Sequence, residues 1–242
     1  MRLALAFLTG LLLGAFTAPK PAALVPSSSP SHPSHVDDAS ALESRTVALV
    51  MQMINGTSRA YCSGVWVSER TILTARHCVD DQPLGSEVLY LVHDDVFAPQ
   101  SPAVADEMRP RMAHLSAIDE AHDLALLTVL QEPKGHAIAL LHDGEVRQGS
   151  FAQAMGHSLG LWYSYSTGVV SAVRELDFGD GMLLVWVQST TPVSPGNSGG
   201  GLFDEDDRLI GVCHAILQHG QGLNLFVHVS YVRALMSAQA TL

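Results

Sequence analysis

Residues 194–201 read SPGNSGGG and lie between two apolar, β-type runs, MLLVWVQ at 182–188 and LIGVCHAI at 209–216. Glycine tolerates positive φ angles, and without a side chain it lets a substrate carbonyl group come close to main-chain N–H groups. A serine between Gly-Asn and a run of glycines is therefore placed for attack on a carbonyl carbon. Ser198 is the candidate nucleophile.

Two upstream segments contain the partners that a serine nucleophile needs. A serine hydroxyl is a weak nucleophile at its own pKa, so it requires a general base, and that base requires an orienting group. The segment CSGVWVSERTILTARHCVD (62–80) ends a β-type stretch with His77, and EAHDLALLTV (120–129) places Asp123 just before an apolar run. The order His77, Asp123, Ser198 differs from the Ser-Asp-His order of α/β-hydrolases.

These motifs resemble those of the trypsin-like (chymotrypsin-clan) serine peptidases. TARHC around His77 is similar to the family's TAAHC, HDLALL around Asp123 to its D-[IL]-A-L, and GNSGGG around Ser198 to its GNSGG. The similarity continues through GHSLGLWYSYSTGVVSAV (156–173) to LIGVCHAILQHGQG (209–222) and so covers nearly everything after residue 43. Within the clan, the bacterial HtrA/DegP-like and glutamyl endopeptidase types are the most similar.

The resemblance implies an all-β fold of two antiparallel six-stranded barrels with a C-terminal helix. The sequence agrees with it, because short β-rich runs separated by Gly, Pro, Asn and Asp follow one another from residue 45 onward. At the end of the chain, Val232, Leu235 and Met236 have helical spacing after Ser230, which predicts a helix over 230–240 capped by that serine.

We expect the peptidase domain to span 43–242, with a lobe boundary within 131–145. The N-lobe then covers about 43–135 and the C-lobe about 136–242. His77 and Asp123 belong to the first lobe and Ser198 to the second, so the cleft between the lobes is the expected site. No PDZ domain is expected after residue 242, and a chaperone or stress-sensor role of HtrA/DegP proteins is therefore not carried over.

The composition indicates which residues form the core and which kinds of partner the protein can bind. Hydrophobic residues make up 47% of the 242 residues and aromatic residues only 6%, so the core must consist mainly of Val, Leu, Ile and Ala, which suits a β-barrel. The chain has 24 acidic and 13 basic side chains and a formal charge of −11. Phosphates would be repelled by this charge, so we expect protein or peptide substrates and no nucleic acid.

The first 18 residues, MRLALAFLTGLLLGAFTA, have the short apolar region of a secretory signal peptide. Phe16 stands where a small residue is usual before the cleavage point, so an uncleaved anchor remains an alternative. Residues 19–42 are rich in Pro and Ser and indicate a linker or propeptide. The protein is expected to be exported, to the periplasm or the medium, with membrane contact only if the N-terminal segment is uncleaved.

Three cysteines in an exported protein predict one disulfide and one free thiol. The resemblance implies that Cys62 and Cys78, which flank the histidine segment, form the disulfide. Cys213 falls in an alternating apolar strand and is expected to be a buried small hydrophobe. No CxxC, HExxH or calcium-loop pattern occurs, so no metal and no cofactor is expected.

The resemblance also implies the roles of the site residues. His77 would be the general base and acid, Asp123 would fix the tautomer of its ring, and the amides of Gly196 and Ser198 would form the oxyanion hole. Asn197 stands where trypsin and chymotrypsin have an aspartate that pairs with a new N-terminal ammonium group. An asparagine cannot form that ion pair, so activation by N-terminal insertion is not expected.

By the same resemblance, the specificity pocket is edged by small or aliphatic residues and one histidine: Val193, His214, Ala215, Ile216 and Leu225. Such a pocket predicts Val, Ala, Leu or Ile at P1, since a charged P1 side chain would be desolvated without a partner. The exception is glutamate received by His214, because glutamyl endopeptidases have a histidine one position earlier.

Two other functions remain as alternatives. GHSLG (156–160) matches the G-x-S-x-G nucleophile elbow of lipases and esterases, which would make Ser158 the nucleophile of an α/β-hydrolase. That elbow requires a helix directly after the serine, whereas LGLWYSYSTGVV contains glycine, aromatic and β-branched residues. The second alternative is a catalytically silent trypsin-fold binding module.

Overall fold

The structure is a computed structural model, and it describes residues 38–52, 58–80, 82–92, 103–104, 110–130, 136–177, 181–216 and 222–240. The expected signal peptide or anchor lies outside these residues, as does most of the expected linker or propeptide. Among the residues described, no helix combines the length and the apolar character needed to cross a membrane.

Six antiparallel strands close into a first barrel. They are β1 (Thr46–Gln52), β2 (Ser58–Ser68), β3 (Thr71–Ala75), β4 (Glu87–Leu91), β6 (Arg111–Asp119) and β7 (Leu124–Val129). They neighbour one another in the order β1-β4-β6-β7-β3-β2, and a pairing between β1 and β2 closes the ring. A two-residue strand, β5 (Ala103–Val104), pairs with the start of β2.

Six more antiparallel strands form the second closed barrel: β8 (Phe151–Gly156), β9 (Ser164–Leu176), β10 (Leu184–Ser189), β11 (Gly201–Phe203), β12 (Leu209–Ile216) and β13 (Asn224–His228). They neighbour one another in the order β10-β13-β12-β11-β8-β9. The expected all-β fold of two six-stranded barrels is therefore confirmed.

Two α-helices flank the barrels within the described part of the chain. Helix α1 (Asp38–Arg45) precedes β1 and contributes the fully buried Leu42 to the core. Helix α2 (Val229–Gln239) follows β13 and confirms the expected C-terminal helix. The expected serine cap is wrong, because His228 is the N-cap residue and its Nδ1 accepts a hydrogen bond from the Ser230 amide at 3.2 Å.

Strands β3 and β7 are buried on both faces. Ile72 and Leu127 belong to the cluster inside the first barrel, whereas Leu73 and Leu126 belong to a cluster that also contains Trp186 of the second barrel. Because neither face meets water, apolar residues stand at consecutive positions in both strands rather than only at alternate ones. The two segments that carry His77 and Asp123 therefore emerge from strands that are packed on both faces.

Candidate active site

Strands β3 and β7 bring the candidate base and its orienting group together. The strands are antiparallel neighbours, so the end of β3 lies beside the start of β7. His77 is in the 3₁₀ turn that follows β3, and Asp123 directly precedes β7. The Arg76 amide donates a hydrogen bond to the Asp123 carbonyl oxygen at 2.9 Å, which fixes the spacing of the two loops.

Asp123 holds His77 through two hydrogen bonds. Nδ1 of His77 lies 2.7 Å from Oδ2 of Asp123, and the His77 backbone amide donates to Oδ1 at 2.8 Å. An ionised carboxylate only accepts hydrogen bonds, so Nδ1 carries the ring proton. In the neutral ring, Nε2 is then the basic nitrogen.

The same contacts shift both pKa values. The hydrogen bond to Asp123 raises the pKa of His77 above its usual value, against the opposing effect of burial, and the charges of Asp123 and Asp80 act in the same upward direction. Burial alone would raise the pKa of Asp123, but hydrogen bonds from His214 and His77 outweigh it and hold the pKa well below its usual range. Asp123 is therefore an anion at neutral pH and favours a positive charge on His77.

Ser198 lies in the turn between β10 and β11, and its backbone is tied to the first barrel. The Ser63 amide of β2 donates to the Ser198 carbonyl oxygen at 2.8 Å, and Sγ of Cys78 lies 3.6 Å from the same oxygen. Cys78 is the residue after His77, so the serine turn stands beside the histidine turn. Within the described residues the Ser198 hydroxyl has no hydrogen-bond partner.

Two backbone amides of the serine turn are free donors. The amides of Gly196 and Ser198 have no acceptor among the residues the structure describes, and Gly196 has a φ of 102°. Within residues 196–200 the other three amides are used: Asn197 donates to the Ser194 carbonyl oxygen, Gly199 to that of Cys213, and Gly200 to that of Asn197. An oxyanion hole requires two such unoccupied, fixed donors.

A buried network that the sequence analysis missed supports this turn. Oγ of Ser63 lies 2.8 Å from the Gly196 carbonyl oxygen and 3.0 Å from Nδ1 of His157. The single hydroxyl proton of Ser63 goes to the carbonyl oxygen, so Nδ1 of His157 must be the donor to Ser63. Burial lowers the pKa of His157 to about 3, which keeps the ring neutral at physiological pH. No local motif marks the pair, because Ser63 and His157 are 94 residues apart.

The Ser158 alternative is wrong. Ser158 begins a single 3₁₀ turn, Ser158–Gly160, and strand β9 follows it after a short connection. An α/β-hydrolase elbow needs an α-helix at this point and a sheet flanked by helices, and the chain has two antiparallel barrels instead. The 158–160 turn contacts the turn that contains Ser198: the Leu159 amide donates a hydrogen bond to the Pro195 carbonyl oxygen at 2.6 Å.

The residues that we expect to edge the specificity pocket do not share one environment in the structure. Val193 is half-buried and packs against the cluster inside the second barrel, and Leu225 is only 1% exposed within the cluster shared by the two barrels. The backbones of Ala215 and Ile216 belong to β12, while their side chains lie outside the described part. His214 contacts Asp123, with its Nδ1 2.5 Å from Oδ2, a contact that sequence reasoning did not anticipate.

A surface depression adjoins the serine turn. It has a volume of about 280 Å³, and its lining includes Tyr61, Leu159, Pro195 and Gly196. The ring of Tyr61 and the side chain of Leu159 give it a largely apolar lining next to the free Gly196 amide.

The disulfide that the resemblance implies is present. Cys62 of β2 is bonded to Cys78 of the His77 turn, with their Cα atoms 6.1 Å apart. Cys213 is free and buried, and burial raises the pKa of its thiol to about 12. A thiol with so high a pKa stays protonated and unreactive in the folded protein.

Two groups of side chains in the described residues have metal-ligating atoms within 4.8 Å of one another: Cys62, His77 and Cys78, and His77, Asp123 and His214. In the first group both sulfurs are in the disulfide, so neither is a thiolate ligand. In the second group the close approach of the atoms is explained by hydrogen bonds from the two rings to the carboxylate. We assign no metal to either group.

Residues 62–212, more than half of the chain, match the family model described as "Trypsin-like peptidase domain". The chain belongs to this family. Among curated relatives, it is 34% identical over 110 residues to the periplasmic pH-dependent serine endoprotease DegQ of Escherichia coli strain K12, a match that covers 46% of this chain and 24% of DegQ. It is 30% identical over 164 residues to a probable periplasmic DegP-like serine endoprotease of Bartonella henselae, covering 67% of this chain and 29% of the relative.

Solved structures show the same fold. The HtrA-type protease AlgW with a tripeptide superposes with a TM-score of 0.68 at 24% identity, over 85% of this chain and 63% of that one. A serine endoprotease from Yersinia pestis gives a TM-score of 0.65 at 19% identity, over 86% of this chain and 68% of that one.

The matches to DegQ and to the Bartonella henselae relative span only about a quarter of those two proteins' own length.

Proposed function

We propose that this protein is a serine endopeptidase that hydrolyses peptide bonds through an acyl-enzyme intermediate, with His77, Asp123 and Ser198 as its triad. One observation carries the proposal: a histidine held by two hydrogen bonds to a half-buried carboxylate stands beside a serine turn with two free backbone amides. These are the base, the orienting group and the oxyanion donors that acyl transfer needs.

Acylation would use all of these groups. Oγ of Ser198 attacks the peptide carbonyl carbon while Nε2 of His77 takes the hydroxyl proton, and Asp123 stabilises the imidazolium that results. The amides of Gly196 and Ser198 donate to the oxyanion of the tetrahedral intermediate. His77 then gives its proton to the leaving amine, which departs and leaves an ester on Ser198.

Deacylation would repeat the sequence with water. His77 takes a proton from the water molecule as its oxygen attacks the ester carbonyl carbon, and a second tetrahedral oxyanion forms at the same two amides. When this intermediate collapses, His77 returns the proton to Oγ of Ser198. The acid product leaves and the enzyme is restored.

The proposed substrates are extended peptide or protein segments with a small aliphatic P1 residue. Val193 is apolar and half-buried next to the serine turn, and an aliphatic side chain gains about 0.8 kcal/mol for each methylene it buries there. Of the two ring nitrogens of His214, Nδ1 is bonded to Asp123, so only Nε2 is left to receive an acidic P1. Cleavage of an unbiased peptide library, with the cut sites mapped, measures the preference.

Activity is proposed to need no newly created N-terminus. Asn197 is 4% exposed, carries no charge, and its amide donates to the Ser194 carbonyl oxygen at 3.0 Å. The serine turn is further held by Ser63 and Leu159, which are internal to the chain. These contacts supply the order that a zymogen gains from its N-terminal ion pair.

Export is part of the proposal. DegQ and the DegP-like relatives are named as periplasmic proteins, and residues 1–18 have the composition of a signal peptide. A disulfide next to the proposed base also fits an oxidising compartment. N-terminal sequencing of the mature protein from an extracytoplasmic fraction would test export and cleavage together.

The decisive test compares two serine variants with a fluorophosphonate probe and a casein substrate. Ser198→Ala is expected to abolish both labelling and hydrolysis, while Ser158→Ala, a matched change in the 3₁₀ turn, keeps both. A folded wild-type protein that neither labels nor cleaves would instead be a silent binding module. Labelling that survives Ser198→Ala would refute the assigned nucleophile.

A further inference from the structure

We propose that Ser63 is a positioning residue for the peptidase reaction, because it holds both residues whose amides would bind the oxyanion. The inference rests on the proposed function of Gly196 and Ser198 and extends the site to a side chain of the other barrel. It gives the Ser63 hydroxyl a part in kcat, beyond its part in the stability of the fold.

Ser63 makes one hydrogen bond to each of these two residues. Its amide donates to the Ser198 carbonyl oxygen at 2.8 Å, and its Oγ donates to the Gly196 carbonyl oxygen at 2.8 Å. Each carbonyl group is separated from the amide of the same residue by one Cα atom, so a bond to the oxygen limits rotation about that atom. The two bonds therefore restrict the directions in which the two free amides point.

The direction of the Ser63 hydroxyl is set by His157. Oγ of Ser63 lies 3.1 Å from the His157 amide, 3.0 Å from Nδ1 of His157 and 2.8 Å from the Gly196 carbonyl oxygen. A hydroxyl has one proton and two lone pairs, and a carbonyl oxygen only accepts. No other described group donates to the Gly196 oxygen, so the hydroxyl proton goes there and both lone pairs face His157. The hydroxyl then has no second direction to take.

Three glycines pack against Ser63 and keep it in place. A Cβ atom at Gly156 would lie 3.1 Å from Oγ of Ser63, one at Gly200 would lie 3.1 Å from its Cβ, and one at Gly199 would clash with its carbonyl oxygen. Ser63 is fully buried, and Oγ1 of Thr74 donates to its carbonyl oxygen at 2.8 Å. The glycine run after Ser198 thus has a second use, since it lets the serine turn approach strand β2.

Strand β2 also connects this contact to the proposed base. Cys62, the residue before Ser63, is bonded to Cys78, the residue after His77. Two neighbouring residues of one buried strand therefore hold the histidine turn through the disulfide and the serine turn through hydrogen bonds. We infer that β2 sets the distance between the base and the two oxyanion donors.

The first test uses kinetics of the full chain. Ser63→Ala keeps the amide bond to Ser198 and removes only the hydroxyl. The oxyanion exists only after the substrate has bound, so kcat is expected to fall about 10- to 100-fold with KM within about 3-fold of wild type. A rise in KM with kcat unchanged would overturn the positioning role.

Thr46→Val is the matched control for the loss of a buried hydroxyl. Thr46 is 1% exposed, and its Oγ1 donates to the Leu42 carbonyl oxygen at 2.8 Å, in the α1 segment. This variant is expected to keep kcat within about 3-fold of wild type. An equal loss of kcat in Thr46→Val and Ser63→Ala would trace the effect to general destabilisation and overturn the proposal.

The second test needs no cleavage and leaves Ser63 unchanged. In Ser198→Ala protein, long-range ¹H–¹⁵N correlation spectra of the carbon-bound ring protons report the tautomer of His157. We expect Nδ1–H. An Nε2–H tautomer would overturn the proposal, because Nδ1 would then take the Ser63 hydroxyl proton and the Gly196 carbonyl oxygen would lose it. This test also decides the matter if Ser63→Ala does not fold.

The two tests separate this proposal from the peptidase function. If the wild-type protein neither cleaves nor becomes labelled at Ser198, the peptidase function fails, while the tautomer of His157 still decides whether the Ser63 hydroxyl holds Gly196. If the wild-type protein cleaves and Ser63→Ala loses no kcat, the peptidase function stands and the positioning role of Ser63 fails.

Discussion

The Leu159 amide donates a hydrogen bond to the Pro195 carbonyl oxygen, with the two atoms 2.6 Å apart. This bond joins the turn after β8 to the turn that contains Ser198, and it fixes the peptide that precedes Gly196. Leu159 makes this bond with a φ of 53°, in the left-handed region. The geometry of the proposed oxyanion hole thus depends on a residue 39 positions before Ser198.

The first prediction tests that bond. Leu159→Pro removes the N–H and cannot adopt a positive φ, so kcat/KM is expected to fall at least about 10-fold through loss of one fixed contact to the serine turn. Leu159→Gly keeps the N–H and adopts the same φ without strain, so it should retain wild-type kcat/KM within about 3-fold. Equal activities of the two variants would show that the Leu159 bond does not order the turn.

The second prediction concerns Gly196. A Cβ added there would clash with the His157 carbonyl oxygen, and the φ of 102° strains any other residue. Gly196→Ala is therefore expected to displace one of the two free amides and to lower kcat about 100- to 1,000-fold. The rate of cleavage of the peptide library and the rate of labelling by the fluorophosphonate probe measure this loss of activity.

Gly149→Ala is the matched control for Gly196. Gly149 has a φ of 86°, but a Cβ added there meets no atom within 4 Å. This variant carries the backbone strain without the clash, so its kcat should stay within about 3-fold of wild type. A comparable loss in both variants would trace the effect to general strain rather than to the oxyanion geometry.

Much of the fold and the association of His77 with Asp123 could be predicted, because the motifs around these residues resemble those of the trypsin-like peptidases. The structure adds that the antiparallel pairing of β3 with β7 brings the two residues together. The supporting contacts could not be predicted. Ser63 and His157 meet only after both barrels have closed, and nothing in either segment specifies the partner. His214 was assigned to the pocket because alternation along a strand does not locate a bulge.

The third prediction concerns the disulfide. The Cys62–Cys78 bond closes a loop of 16 residues that carries His77, and such a loop contributes about 3 kcal/mol to the free energy of unfolding. In a Ser198→Ala background, which prevents self-digestion, Cys62→Ser with Cys78→Ser should lower that free energy by about this amount in urea titrations. A decrease of less than about 1 kcal/mol in the free energy of unfolding would contradict this contribution of the disulfide.

Thiol titration checks the same assignment independently. The native protein is expected to show no readily reactive thiol, the denatured oxidised protein one thiol from Cys213, and the denatured reduced protein three. Three thiols without reduction would show that the disulfide does not form. Rapid reaction in the native protein would contradict the burial of Cys213.

The fourth prediction follows from the buried His157. Burial lowers its pKa to about 3 in the folded protein, whereas the unfolded chain has the ordinary value near 6.5. Between these values the unfolded state binds one more proton. The stability contributed by neutral His157 is therefore fully present above about pH 6.5 and is lost as the pH falls toward 3, by up to about 1.4 kcal/mol per pH unit.

His157→Asn isolates this contribution. The asparagine side-chain amide can keep a donor near Oγ of Ser63 and does not titrate, so it preserves the contact while removing the proton uptake. In the Ser198→Ala background, the free energy of unfolding should fall between pH 7 and pH 4.5 by about 2 to 3 kcal/mol more in the His157 protein than in His157→Asn. The carboxylates that also titrate in this range are common to both proteins and cancel in the comparison. Equal losses in the two proteins would mean that His157 takes up its proton in the folded state, and that the Ser63 contact tolerates a charged ring.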